Sequence, residues 1–228
     1  MKKNKIFLLI CSLLVCFTSC LKDGDETLVL PNVVYAIPID DVVPVELQSQ
    51  IDDYMPIYKG STPPDITGVY LVDPDVLVYT SDGVFSPGKI FADDLFRFDN
   101  QNTSTNVLTY ANRQGDSAES SSDYVSVSGK GSDFTAYFLT TGTSNNIAIK
   151  TATIISGTKT KDGIKNYYTS FVMLEKGSDP KGLLMDEDEF RIFKDNDGLA
   201  SNSVWNTGSQ VKRKNVSENT NNQNRYEK

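Results

Sequence analysis

The chain contains no histidine. That excludes Ser-His-Asp and Cys-His catalysis, histidine general bases and His-ligated zinc. Its three cysteines, Cys11, Cys16 and Cys20, all fall in the first twenty residues. The rest of the chain therefore has no disulfide, thiolate nucleophile or cysteine-ligated metal. Basic residues are outnumbered, with 22 Lys and Arg against 30 Asp and Glu and a formal charge of −8. Such a balance disfavours nucleic acid, whose binding rests on neutralising phosphates. The longest apolar run, residues 6–17, is too short to span a bilayer.

That run has the length of a signal-peptide h-region, and Lys2, Lys3 and Lys5 supply a positive n-region before it. It ends in Phe17-Thr18-Ser19-Cys20. Small residues before a cysteine resemble the lipobox of bacterial lipoproteins, although Phe17 stands where Leu is usual. The resemblance implies cleavage after residue 19, lipidation of Cys20 and a membrane anchor. Cleavage removes three lysines and takes the formal charge from −8 to −11. Lys22-Asp23-Gly24-Asp25-Glu26 follows. A lysine and acidic residues just after the lipidated cysteine resemble the surface-export signal of Bacteroidetes lipoproteins. That implies the outer membrane with the domain facing the cell exterior; an ordinary acidic linker would leave a periplasmic face open.

Residues 20–43 read as a lipidated N-terminus and tether. In the segment Pro44 to Pro56, Leu47, Ile51, Tyr54 and Met55 share one helical face. Pro44 suits a first helical position and Pro56 forbids continuation. From residue 66 the period becomes that of strands. Eight are expected: 66–80 (interrupted at Asp73-Pro74-Asp75), 91–99, 106–112, 123–128, 133–140, 147–158, 164–175 and 189–193. Gly129-Lys130-Gly131 and Asp162-Gly163 supply turns. Several strands carry apolar residues on both faces, which suits a closed barrel filled inside and partly covered outside. Residues 207–228, rich in Asn, Ser, Lys and Thr, read as a disordered polar tail.

The expected fold is all-β: an eight-stranded antiparallel up-and-down barrel over residues 44–206, with the short helix across one end. A β-sandwich is the alternative. Gly68-Val69-Tyr70 on the first strand resembles the Gly-x-Trp of the lipocalin (calycin) superfamily, with Tyr70 in place of the Trp. Together with the leader, the chain resembles the lipocalin-like lipoproteins of gut Bacteroidetes. The resemblance implies that Gly68, Tyr70 and Arg191 close the barrel, with Arg191 packed over the Tyr70 ring by a cation–π contact. It also implies a helix after the last strand, for which residues 197–205 are the candidate.

The chemistry on offer is limited. Carboxylates cluster at Asp93-Asp94, Asp186-Glu187-Asp188-Glu189 and Asp195-Asn196-Asp197. A glycosidase needs two across a sugar cleft, and solvated loops explain the same residues. Asp195-Asn196-Asp197-Gly198 fails as an EF-hand, because Phe193 and Val204 would fall at ligand positions. Gly129-Lys130-Gly131 lacks the spacing of a phosphate loop. No catalysis, cofactor or metal is expected. Eleven Tyr and eleven Phe supply wall material instead. Tyr79, Phe98, Tyr110, Phe138 and Tyr168 are expected to project inward and line a site for a small, partly apolar ligand. The alternatives are a protein or glycan partner docking on loops 82–90, 113–122 and 177–188, and a carbohydrate-active enzyme that uses two carboxylates.

Overall fold

The computed structural model describes residues 34–115 and 119–205. The leader, Cys20, the acidic segment after it and the tail lie outside the described residues. The described fold is all-β and antiparallel but for one short parallel pairing. One helix, α1 (Val45–Asp52), precedes twelve strands: β1 (Ser61–Thr62), β2 (Gly68–Val72), β3 (Asp75–Thr80), β4 (Ile90–Phe91), β5 (Asp94–Asn102), β6 (Val107–Gln114), β7 (Ser120–Lys130), β8 (Asp133–Ser144), β9 (Ile147–Lys159), β10 (Gly163–Lys176), β11 (Phe190–Asp195) and β12 (Leu199–Asn202).

The expected strands are all present, most of them longer than their sequence pattern. The first is broken into β2 and β3 at a cis Asp73–Pro74 bond, and the second into β4 and β5. Residues 197–205 do not form the expected helix. Leu199–Asn202 is extended, because Ala200 is fully buried and its neighbours pair on both sides. On one side β12 pairs with β10 through Gly163↔Ser201 and Lys165↔Leu199. On the other it pairs with β2 through Ser201↔Leu71. β12 thereby closes a ring of eight hydrogen-bonded strands, β12-β2-β5-β6-β7-β8-β9-β10. Beyond the Asp195–Gly198 turn, the other half of β10 pairs with β11, which continues to β3 and β4.

Local chemistry sets the turns. Asn145 and Asn146, both at positive φ, join β8 to β9 in the two-residue type I′ manner that matches strand twist. Gly163, at φ +144°, sits where a Cβ would lie 2.2 Å from the Ala200 carbonyl oxygen. Ring closure at β10–β12 therefore requires glycine there.

Side chains alternate between two packed faces. One face gathers Tyr70, Phe96, Phe98, Tyr110, Val125, Phe134, Phe138, Ile155 and Tyr167 into a single cluster within the ring. The opposite face of β8–β11 presents Tyr137, Ala152, Ile154, Val172, Phe190 and Ile192 to Leu47, Ile51 and Met55. The helix therefore lies along the flank of the sheet, not across one end. Of the expected stripe Leu47, Ile51 and Met55 are buried, whereas Tyr54, beyond the helix end at Asp52, is exposed; each fully buried aliphatic side chain contributes roughly 1.5–3 kcal/mol. Pro44 caps the helix and is not its first residue.

Part of the expected tether belongs to the fold. Val42 and Val43 are buried. The Ile37 N–H donates to Ser126 Oγ at 3.0 Å, and the Tyr137 hydroxyl donates to the Ile37 carbonyl at 3.0 Å. At the other terminus of the described chain, Trp205 lies 4.5 Å from the Arg97 guanidinium and 4.2 Å from that of Arg113. These cation–π contacts hold the segment after β12 to β5 and β6.

Closure at Gly163 is testable. Gly163→Ala should destabilise the protein by about 2–4 kcal/mol, the scale of local steric strain at a special backbone position. A thermal denaturation scan should show the midpoint falling by roughly 5–15 °C. An unchanged midpoint would show that β10 and β12 are not held as closely as described.

Candidate functional site

The interior of the ring is layered. At the end where β2 begins, the Tyr70 hydroxyl donates to the Ile66 carbonyl at 2.7 Å. Lys159 Nζ donates to the same hydroxyl at 2.7 Å and lies 4.8 Å from the ring centroid. Burial pushes the Tyr70 phenol up and the Lys159 ammonium down from their ordinary values. A Cβ at Gly68, at φ +149°, would come within 2.8 Å of that hydroxyl. Gly68 and Tyr70 thus sit together at the ring's end as expected, but the cation over Tyr70 is Lys159, not Arg191.

Arg191 is buried toward the opposite end. It forms a fully buried ion pair with Asp82, with Nε 3.0 Å from Oδ2, and its guanidinium lies 4.7 Å from the Phe85 ring. Loop 81–89 brings both partners there. Burial alone would raise the Asp82 carboxyl. Hydrogen bonds from Thr80 and the Val84 N–H, and the Arg191 contact, outweigh it and hold the group below the usual carboxylate range. Phe85 packs edge-on to Phe91, and Phe91 to Phe193. Loop 177–189 covers the neighbouring part of this end, packing Leu184 and Met185 on Met173.

Between these layers lies a polar belt. Asp75, Asp94 and Asp195 are all buried. Asn112 Nδ2 donates to Asp94 Oδ1 at 3.0 Å, and Gln114 Nε2 donates to the Ala92 carbonyl at 3.2 Å and to Asp75 Oδ2 at 3.4 Å. Asp195 accepts the backbone N–H groups of Asp73 and Asp197. Burial pushes its carboxyl up to about 6, with Asp197 adding to the shift. Asp195 is therefore the buried acid of a turn whose Asn196 and Asp197 are exposed. Among the described residues no group of three acidic, histidine or cysteine side chains is placed to hold a metal ion.

Strand pairing between β7 and β8 stops short of their ends. Pairing between β7 and β8 runs from Lys130↔Asp133 only to Ser126↔Tyr137, although β7 extends to Ser120 and β8 to Ser144. The two strands thus fork. Tyr110 and Phe138, with ring centroids 4.7 Å apart, lie inside the fork. One step further along the same inward faces come Asn112 and Thr140, both partly exposed. Thr151 pairs with Thr140, and its buried Oγ1 has no hydrogen-bond partner among the described residues.

Of the five residues expected to line a ligand site, Phe98, Tyr110 and Phe138 belong to the inward cluster. Tyr79 and Tyr168 do not; both pack with the residues around α1, and Tyr79 stacks on Tyr54 at 3.8 Å. A register shift between Ile192 and Phe193 on β11 breaks the alternation that would have carried Tyr79 inward. A second shift, between Lys165 and Tyr168 on β10, leaves Tyr167 inward in place of Tyr168. Sequence reasoning also missed Asn112, Thr140, Thr151 and Lys159. Two-residue spacing from Tyr110 and Phe138 would have found the first two. The carboxylates proposed for catalysis hold structure: Asp94 anchors Asn112, Asp186 accepts Lys176 Nζ at 2.7 Å, and Glu189 accepts the Asp186 N–H at 2.6 Å.

No protein family, curated protein or solved structure matches the chain.

Two outcomes follow from the buried charges. Arg191→Met leaves Asp82 buried without its cation and should cost about 3–5 kcal/mol in urea denaturation. Adding Asp82→Asn should recover much of that loss, and no recovery would refute the pairing. For Asp195, the folded carboxyl binds its proton more tightly than the unfolded one, whose pKa is about 4. Its contribution to stability is therefore present at low pH and lost as pH rises through about 6. The melting temperature of Asp195→Asn relative to the parent should rise between pH 4 and pH 7. A flat difference would count against the buried carboxyl.

Proposed function

We propose that the protein is a lipid-anchored surface lipoprotein whose ring of strands is a lipocalin-like barrel holding a small, partly apolar ligand without chemical change. The observation that carries this reading is the closed ring, sealed by β12 between β2 and β10 around inward-facing rings. Apolar walls with a few convergent polar groups are the ordinary composition of a small-molecule site. The interior has both: an aromatic cluster, and amide and hydroxyl groups at the β7–β8 fork. Anchoring rests on the leader and Cys20, and the outer face on the lysine-led acidic segment after it. The domain's own role in this reading is binding alone.

A second reading has one observation in its favour. The described residues of loops 82–90, 113–122 and 177–188 lie at the same end of the strands, and Val84, Ile90 and Leu183 are exposed there. A protein or glycan partner docking on that end would use them.

Native mass spectrometry of the full chain, isolated gently from its own membrane, tests both readings. A reproducible added mass of small-molecule size supports the barrel site. A stoichiometric protein companion without such a mass supports the loop surface instead. The intact mass of the same sample reports acylation at Cys20, and an unacylated chain would refute the anchor.

A further inference from the structure

We propose that the end of the ring formed by the β7–β8 and β9–β10 turns docks on a membrane surface of anionic phospholipid headgroups. This rests on the reading of the chain as lipid-anchored and adds which end of the domain meets the lipid. The interior of the ring plays no part in it.

The first support is where the lysines lie. Residues 59–65, 130–133 and 158–165 carry five lysines against three aspartates, in a chain whose formal charge is −8. Backbone pairing sets these segments side by side. The Gly129 N–H donates to the Gly60 carbonyl at 3.1 Å, and Thr62 pairs with Lys130. The Lys159 N–H donates to the Ser132 carbonyl at 2.8 Å. Thr158 pairs with Asp133 on one side and Lys165 on the other. Lys59, Lys130, Lys161 and Lys165 are all exposed, and none forms an ion pair among the described residues. Lys159 alone is turned inward, to the Tyr70 hydroxyl.

The second support is the balance of charge along the strands. At this rim Asp133 accepts the Thr158 hydroxyl at 2.6 Å, and Asp65 accepts the Thr67 N–H at 2.9 Å. With Asp162, these acids reduce the excess but leave the rim cationic. Asp99, near the end of β5, is itself paired with Arg97 at 3.3 Å. The opposite end is acidic. Loop 177–189 carries Asp179, Asp186, Glu187, Asp188 and Glu189 against Lys181, with Lys176 beside them. An anionic surface attracts the first end and repels the second.

The third support is the point of entry. The Ala36 N–H donates to the Thr105 carbonyl at 2.8 Å, in the β5–β6 turn. Asn106 of the same turn donates through Nδ2 to the Ser61 carbonyl at 3.2 Å, and Ser61 pairs with Gly129. An anchor on the segment before Ala36 is therefore joined to the domain at the lysine end. A modest excess of lysine suits a chain already tethered, since each lysine near an anionic membrane strengthens the contact about fivefold.

The test is limited acetylation of the full chain incorporated in vesicles, read lysine by lysine by mass spectrometry. One set of vesicles is pure phosphatidylcholine; the other is equal parts phosphatidylcholine and phosphatidylglycerol. Lys130 and Lys161 should react about fivefold more slowly on the anionic vesicles, and Lys181 equally on both. The difference should vanish in about 1 M NaCl, where charges are screened beyond about 3 Å. The double variant Lys130→Glu, Lys161→Glu should melt as the parent does and lose the protection of Lys59 and Lys165. Retention on both vesicles with no slowing at the rim, or with equal slowing at Lys181, overturns the docking surface and leaves the anchor standing. Retention on the anionic vesicles alone, with the rim protected, supports the surface and overturns the anchor. Retention on neither overturns both.

Discussion

Closure of the strand ring depends on a close approach of backbones at β12. That short strand must reach β2 on one side and β10 on the other, and Gly163 lets it do so by presenting no side chain to the Ala200 carbonyl. Once the ring is sealed, each strand has a face that water reaches poorly. The aromatic cluster around Tyr70, Phe96 and Phe98 then has somewhere to be buried. The outer flank of β8–β11 would be a large exposed apolar patch, and α1 with the segment before it covers it.

The buried faces of the ring also carry polar groups, and several of them pair with one another. Asp82 and Arg191 neutralise each other, and Asn112 donates to Asp94. Asp195 is held by two backbone donors in the turn between β11 and β12. The loops at one end do part of this work. Loop 81–89 delivers Asp82 and Phe85, and loop 177–189 delivers Leu184 and Met185. Several buried hydroxyls, among them those of Ser144, Thr151, Ser156, Thr169 and Ser170, have no hydrogen-bond partner among the described residues.

Much of this was legible beforehand. The strand pattern, the α1 stripe and the two-faced character of the strands follow from apolar period and turn residues, because each reflects packing within a few residues. The candidate site was legible in part. Phe98, Tyr110 and Phe138 keep the alternation of their strands, so parity placed them inward. Tyr79 and Tyr168 were misplaced because a register shift of one residue reverses the face, and nothing local announces it. Arg191 was assigned to Tyr70 by resemblance, yet Lys159, the last residue of β9, reaches that ring.

By itself the sequence determined the all-β character, the exclusion of histidine and thiol chemistry, and the residues able to turn the chain, because these depend on composition and neighbours. Tertiary structure alone decided that residues 199–202 form a strand, since their partners lie on β2 and β10, far away along the chain. It alone decided which cation meets which ring, and that β7 and β8 separate above Ser126. Such contacts arise where distant strands meet, and the energy that fixes them is shared between segments that no local pattern connects.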